Sequence, residues 1–244
     1  MPTLILTPRY SEDAQLLWKA ASQLNWPIAR LQSWQIPAEL KHVDEPVLYC
    51  EALFGPTLAA ELGISLLEPS EDWLTRLPYA YRQRQIHLST LGDARRNPLP
   101  AFVKPPNDKS FPAQVYLGTG LPQGYDDAMS VLVSDIVHWE KEFRCFILQR
   151  KLVTFSIYSR DGHTQRDTGF VSTEEEDREL IQFVNRLLED ETVPLPDATV
   201  VDVGVIAGRG WACVEKNAAW GAGMYGCEPR LVLEVIQHTV QKTK

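Results

Sequence analysis

Apolar and polar positions alternate with two different periods along the first third of the chain. Short apolar runs predict strands at residues 3–7, 47–50 and 64–67. Helical spacing predicts helices between them at residues 12–24 and 56–62. Because strands that alternate with helices usually form parallel sheets, this order predicts a small βαβ sheet flanked by helices.

The remainder of the chain predicts mostly strands joined by turns. The predicted strands are residues 101–104, 131–133, 142–148 and 151–158, and the predicted helices are residues 72–77, 173–189 and 230–241. A polar and basic stretch up to Arg96 separates the two parts of the pattern. We therefore expect one domain at residues 1–75 and a second at residues 76–244.

A hairpin near the C-terminus carries the strongest chemical pattern. Residues 199–206 and 211–217 alternate like strands around a turn at residues 207–210. If the turn is centred on its two middle residues, Asp202 lies directly opposite Glu215. The other face is apolar and is expected to pack on a core. That face consists of Val201, Val203, Val205, Ala212 and Val214.

Asn217 follows Glu215 on the same face of its strand, so three oxygen-bearing side chains are expected together with Asp202. Carboxylates that face each other across a ladder destabilise it unless positive charge lies between them. Mg²⁺ prefers such oxygen ligands and keeps waters and substrate phosphates in its other positions. The hairpin thus predicts a magnesium site, with a solvated polar face as the alternative.

Composition narrows the class of protein. The 244 residues are 44% hydrophobic, which supports a substantial core, and 24 basic against 32 acidic residues give a net charge of −8. This charge does not favour nucleic acid as a partner. No apolar run approaches a membrane span and no signal peptide is visible, so we expect a cytoplasmic protein without a membrane partner. Neither the scattered cysteines nor the histidines have metal-site spacing.

Lys104 ends a predicted strand and precedes an irregular loop that contains Asn107, Lys109 and Ser110. Ammonium groups and backbone NH donors in such a loop can hold phosphate oxygens. A solvated charge at the end of a strand is the alternative.

Two further segments have the character of a ligand cleft. Glu142 and Arg144 share one strand face, so the acid could bind a ribose while the guanidinium faces a phosphate or acyl phosphate. Residues 132–136 leave a strand between apolar flanks, as a backbone that binds an adenine edge must do. The alternatives are a surface ion pair and plain core, respectively.

In their order along the chain, these motifs resemble the ATP-grasp superfamily. The set is Val103-Lys104-Pro105, Val131 to Asp135, Glu142-Phe143-Arg144, Asp202 and Glu215-Lys216-Asn217. More narrowly, residues 102–113 and 211–225 resemble the bacterial ATP-grasp clade named for two arginines and one lysine. The resemblance covers roughly residues 70–240, and the segment before it fits the domain that usually precedes ATP-grasp.

The resemblance implies an α+β and α/β architecture in which two α+β lobes clasp a nucleotide behind a small βαβ pre-ATP-grasp domain. Residues 76–135 would form the nucleotide-covering lobe and residues 136–244 the metal-binding lobe. Two departures from the family pattern stand out. The covering loop is normally rich in glycine but has none at residues 105–112, and the hinge acid, often Glu, is Asp135.

The resemblance also implies roles for individual residues. Lys104 would contact the α and β phosphates with Lys109 nearby, and Glu142 would bind the ribose. The adenine hinge would comprise Val133, Ser134, Asp135 and Ile136, and the Mg²⁺ ligands would be Asp202, Glu215 and Asn217. Arg84, or alternatively Arg82, falls where the clade uses an upstream arginine, and Arg84 would act with Lys104 and Arg144 as a catalytic residue. Arg144 is the candidate for holding the acyl phosphate, with Arg160 and Arg166 as candidates for the substrate carboxylate.

The activity implied is that of an ATP- and Mg²⁺-dependent ligase. A small-molecule or peptide carboxylate would be activated as an acyl phosphate and captured by an amine or a thiol, with ADP and phosphate as products. A non-catalytic ATP-binding module and a phosphotransferase are the alternatives. The oligomeric state stays open, with a homodimer as the commonest assembly of soluble oligomers.

Overall fold

Four β-sheets organise the residues described by the computed structural model, which are 1–107 and 109–242. The helices are α1 Glu12–Gln23, α2 Gly55–Glu61, α3 Trp73–Arg76, α4 Tyr79–Arg82, α5 Leu91–Arg96, α6 Glu174–Glu189 and α7 Pro229–Ile236. The strands are β1 Thr3–Leu6, β2 Ile28–Arg30, β3 Pro46–Tyr49, β4 Ile64–Leu66, β5 Ile86–Thr90, β6 Ala101–Lys104, β7 Gln114–Tyr116, β8 Ser130–Ser134, β9 Trp139–Leu148, β10 Lys151–Arg160, β11 His163–Thr164, β12 Ala198–Ile206, β13 Gly210–Asn217 and β14 Val240–Lys242.

The N-terminal segment folds as the βαβ alternation predicts. β1 pairs in parallel with both β2 and β3, in the order β2-β1-β3. Ser11 caps α1 by accepting a hydrogen bond from the Ala14 backbone NH at 3.1 Å. β4 does not join this sheet, because it pairs antiparallel with β14.

The C-terminal helix is shorter than predicted. α7 ends at Ile236, and the chain continues into β14 rather than remaining helical to residue 241. The Thr239 hydroxyl donates to the Ile236 carbonyl at 2.7 Å, and the Thr239 carbonyl accepts from the Leu67 NH at 2.8 Å. These local bonds compete with continuation of the helix and start the pairing with β4.

An antiparallel sheet with the order β5-β8-β6-β7 forms a small lobe. One face buries an apolar cluster that includes Leu91, Val103, Phe111 and Val131. Phe102 and Leu132 lie on the opposite face and line a cleft. β5 was not predicted, because it lies in a polar and basic stretch where apolar and polar residues alternate too briefly to indicate a strand.

A five-stranded sheet with the order β11-β10-β9-β12-β13 forms the largest layer. One face packs on α6 through residues such as Phe143 and Leu180. The other face contributes Phe146 and Val200 to the cluster that contains β1, α1 and α7. This cluster joins residues from both sides of the domain boundary expected at residue 75.

The β12–β13 hairpin contains a bulge that the sequence did not reveal. Val203 pairs with Cys213, whereas Asp202 pairs with Glu215, so Val214 is an extra residue in β13. The turn is centred on Gly208, whose φ is 71°, and the predicted centre between residues 208 and 209 is wrong. The pairing of Asp202 with Glu215 is nevertheless confirmed, because the bulge compensates for the shifted turn.

The bulge also changes which side chains form the apolar face. Val201 and Val203 lie in the buried cluster beneath α6, as predicted. Cys213 of β13 joins the same cluster, whereas Val214 lines the cleft. The predicted uninterrupted face is therefore wrong at Val214, since one inserted residue reverses the alternation.

None of the helices described is both long and apolar enough to cross a membrane.

Glu176 links the start of α6 to β10. It forms a capping box with Thr173 and accepts two hydrogen bonds from Arg160, at 2.6 and 2.8 Å. The bonds from Arg160 lower the pKa of Glu176 from 4.5 to about 2. Because the pKa is lower in the folded state, this stabilisation is present above pH 4.5 and is lost as pH falls toward 2.

We expect Glu176→Gln to lower the free energy of unfolding by about 1–2 kcal/mol at pH 7. Urea denaturation at about pH 7 and about pH 3 should show this difference shrinking at the lower pH. Glu175→Gln is the control, because Glu175 is exposed in the same helical turn. An equal loss at both pH values would contradict the assignment.

Candidate nucleotide and metal site

A cleft separates the small antiparallel lobe from the five-stranded sheet. One cavity of about 380 Å³ is lined by apolar side chains such as Phe102, Leu132 and Trp139. A second cavity of about 410 Å³ is lined by residues 105–107 and 109–113. Both cavities are lined by Lys104 and Glu215. The first, termed the apolar cavity, has an aromatic and aliphatic wall, and the second, termed the charged cavity, holds Lys104 and Lys109 at the charged end of the cleft. A nucleotide needs both kinds of lining.

Three of the four predicted hinge residues, Ser134, Asp135 and Ile136, line the apolar cavity. The side chain of Val133 packs in the core of the small lobe instead. Asp135 is fixed by Gln85, whose NH donates to Oδ2 at 3.0 Å. Within the residues that the structure describes, no backbone hydrogen bond occupies the peptide groups of Ile136 or Val137. These groups are free to bind a polar ring edge.

Arg84 lies at the wall of the same cavity and is 4% exposed. Its guanidinium donates to the carbonyls of Cys213 at 2.7 Å and Val214 at 3.2 Å, and stacks 5.1 Å from the Trp139 ring. Burial lowers its pKa to about 10. Arg82, the alternative upstream arginine, donates to the backbone carbonyls of Thr75 and Ile86.

Lys104 and Glu215 form an ion pair across the cleft. Lys104 ends β6 in the small lobe, and Glu215 lies on β13 in the large sheet. Burial acts to raise the pKa of Glu215, but the Lys104 ammonium lowers it to about 2. Lys109 lies on the loop above this pair and lines the charged cavity.

Asp202 is completely buried and pairs with Arg144. The Arg144 Nε donates to Oδ1 at 2.9 Å, and Nη2 donates to Oδ2 at 2.6 Å. Burial raises the pKa of Asp202 to about 6, and the Arg144 guanidinium acts against this rise. Arg144 also donates to the Gly223 carbonyl at 2.8 Å and stacks 4.7 Å from the Tyr225 ring.

The three predicted metal ligands lie together. The Asn217 amide donates to Asp202 Oδ2 at 3.3 Å and to Glu215 Oε1 at 3.0 Å. Within the described part of the chain, no three His, Cys, Asp or Glu side chains cluster to hold a metal ion, so an amide must complete this set. Oxygen donors of this kind fit Mg²⁺. Asp202 is paired with Arg144, and Glu215 is paired with Lys104.

Of the other predicted site residues, Glu142 lies in the cleft, whereas Arg160 and Arg166 are paired with acidic residues. Glu142 lines the apolar cavity and accepts a hydrogen bond from Tyr158 Oη at 3.0 Å. Arg160 is bound to Glu176, and Arg166 forms an exposed ion pair with Glu12 of α1. Sequence reasoning did not find Tyr158 or Tyr225, because a tyrosine outside a recognisable motif gives no functional signal.

Proteins of known structure share the architecture of this chain. A D-alanine–D-alanine ligase from Bacillus anthracis is 13% identical, with 98% of this chain and 96% of that chain covered and a TM-score of 0.58. A D-cycloserine synthetase is 11% identical, with 97% and 98% covered and a TM-score of 0.64. An ATP-grasp RimK domain protein from Sphaerobacter thermophilus is 14% identical, with 97% and 99% covered and a TM-score of 0.57. The fold is therefore ATP-grasp.

The family is shown by sequence. Residues 81–235 match the model of an ATP-grasp domain, that of the second family in the clade named for two arginines and one lysine. The chain belongs to this family, which confirms the resemblance seen in the motifs. No curated protein matches the chain.

The buried pair of Arg144 and Asp202 makes a prediction for stability. Arg144→Met should lower the free energy of unfolding by about 3–5 kcal/mol, because it leaves a buried carboxylate unpaired. The double variant Arg144→Met/Asp202→Asn should recover part of this loss. Denaturant unfolding measures both, with Arg178→Met on the exposed face of α6 as the control. Strict additivity of the two substitutions would contradict the coupling.

Proposed function

We propose that this protein is an ATP- and Mg²⁺-dependent ligase that activates a carboxylate as an acyl phosphate for capture by an amine or a thiol. The observation that carries the proposal is the meeting of Asp202, Glu215 and Asn217 with Lys104 at the charged end of the cleft. Membership of the ATP-grasp family supports ATP as the nucleotide.

The cleft suggests how the nucleotide is held. Adenine would occupy the apolar cavity, against the peptide groups that follow Ser134, and Glu142 would accept hydrogen bonds from the ribose. Lys104 and Lys109 would bind phosphate oxygens beneath the loop at residues 105–113. Arg84 would support the adenine side of the cavity, since its guanidinium is held by carbonyls of β13.

Asp202, Glu215 and Asn217 would hold Mg²⁺, which in such sites neutralises phosphate charge. Lys104 and Arg144 would exchange their carboxylate partners for phosphate oxygens. Their positive charge would then stabilise the charge that develops during phosphoryl transfer. This exchange would explain why Lys104 and Arg144 lie beside the proposed metal ligands and pair with two of them, Glu215 and Asp202.

The reaction proceeds in two displacements. A substrate carboxylate oxygen attacks the γ-phosphorus, and the bond to ADP breaks with its electrons on ADP. The amine nitrogen then attacks the acyl carbon, loses a proton and releases phosphate, which is a far better leaving group than oxide. Arg144 is the candidate for holding the acyl phosphate through its guanidinium.

Proteins with the same fold support amino-acid or peptide substrates. They include an L-amino acid ligase from Bacillus licheniformis and a macrocyclase bound with a precursor peptide from Microcystis aeruginosa. We extend this substrate class to the present chain. A cytoplasmic location, a bacterial source and a homodimeric state stay predictions.

A second candidate function is a non-catalytic ATP-binding module. The observation in its favour is that Arg144 and Lys104 already neutralise the two carboxylates, so the fold tolerates the site without a metal. Tight binding of MgATP without ADP formation in any mixture of amino acids and peptides would favour the module. A stable phosphorylated product would instead indicate a phosphotransferase.

We expect ADP and phosphate, rather than AMP and pyrophosphate, when the protein is supplied with MgATP and a pool of amino acids and peptides. Lys104→Ala and Glu215→Gln should each lower the rate of ADP formation about 100-fold, because each removes a charge from the reacting end of the cleft. Lys151→Ala is the control, since Lys151 is exposed on β10. Full turnover by both cleft variants would refute the ligase proposal.

A further inference from the structure

Glu142 does not hold its position in the cleft unaided. The Tyr158 hydroxyl donates to Glu142 Oε2 at 3.0 Å, and Ser159 pairs with Glu142 across the β9–β10 ladder. Burial raises the pKa of Glu142, and its interactions with Tyr158 and Ser159 act against the rise by favouring the charged form. Two consecutive residues of β10 therefore lie against one acid.

A β-bulge makes this arrangement possible. Ile157 of β10 pairs with Phe143 of β9, but the next pair joins Ser159 to Glu142. Tyr158 is thus an extra residue, and two residues of β10 oppose a single residue of β9. In a regular strand, consecutive side chains point to opposite faces. A bulge re-aims one of them, as bulges beside functional sites commonly do.

The Tyr158 ring is fixed independently of its hydroxyl. It stacks on the Tyr225 ring with centroids 5.2 Å apart, and the Arg144 guanidinium lies 5.7 Å from its centre. Ser159 is 6% exposed. A hydroxyl on an immobilised ring is a pre-organised donor, so Glu142 loses little further freedom when a ligand binds.

We infer that Tyr158 and Ser159 are positioning residues that orient Glu142 to recognise the ribose hydroxyls of the nucleotide. This inference rests on the proposed function, because it takes ATP as the ligand of the cleft. Tyr158 Oη donates to Oε2, and Glu142 lines the apolar cavity, so the carboxylate keeps acceptor positions for a ligand there. The two residues thereby set selectivity for the sugar rather than for the phosphates.

Calorimetric binding of MgATP and of Mg-2′,3′-dideoxyATP tests the inference. The wild-type protein should bind MgATP more tightly, because the dideoxy sugar has no hydroxyl to donate to Glu142. Tyr158→Phe/Ser159→Ala should weaken MgATP binding about tenfold while leaving dideoxyATP binding nearly unchanged. Tyr158→Phe keeps the ring, so its contacts with Tyr225 and Arg144 remain.

A double-mutant cycle separates positioning from a general structural effect. In a Glu142→Gln background, the same two substitutions should cause no further loss of preference for ATP, since the acid that they orient is absent. Tyr81→Phe is the matched control, because it removes a hydroxyl that donates to the Arg186 carbonyl outside the cleft. Its sugar preference should equal that of the wild-type protein.

The outcomes distinguish the inference from the function on which it rests. Equal weakening of both nucleotides by the double variant, or a further loss in the Glu142→Gln background, would overturn the positioning role alone. Failure of the wild-type protein to bind MgATP would overturn the proposed function and this inference with it.

Discussion

Two carboxylates that share the Asn217 amide, each paired with its own cation, are the constraint on which the cleft depends. Arg144 binds Asp202, and Asn217 connects Asp202 with Glu215. Glu215 in turn binds Lys104 on the opposite lobe. Charges withdrawn from water are costly unless each has a close partner, so β9, β12, β13 and β6 must keep their positions relative to one another. The same groups include the oxygen donors and the cations that the proposed phosphoryl transfer would use.

Two β-bulges convert regular strands into a site. The extra residue Val214 lets Cys213 enter the core while Glu215 still faces Asp202. Tyr158 is the extra residue of β10, beside Glu142. Each bulge interrupts the two-residue period of a strand and brings a polar side chain to the cleft face without exposing the apolar core.

The segment at residues 1–75 packs into the same hydrophobic cluster as the five-stranded sheet that borders the cleft. Trp220, just beyond β13, is buried among its apolar residues, and a Cβ on Gly55 would lie 2.3 Å from the Trp220 ring. The Asp13 carboxylate accepts a hydrogen bond from the Met224 NH at 3.0 Å. Gly223 of this loop also accepts a hydrogen bond from Arg144, so one loop contacts both residues 1–75 and the charged end of the cleft.

Sequence periodicity was sufficient for the longer strands and helices and for the order of the chemical motifs. It predicted the parallel β1–β3 layer, the β9–β10 hairpin and the pairing of Asp202 with Glu215, because these depend on local alternation and turns. It did not predict β14, the two bulges or the role of Tyr158. Those features depend on contacts between residues far apart in the chain. The sequence by itself determined which groups the cleft contains, whereas only the tertiary structure decided which cation neutralises which carboxylate, since that choice is made by packing between strands.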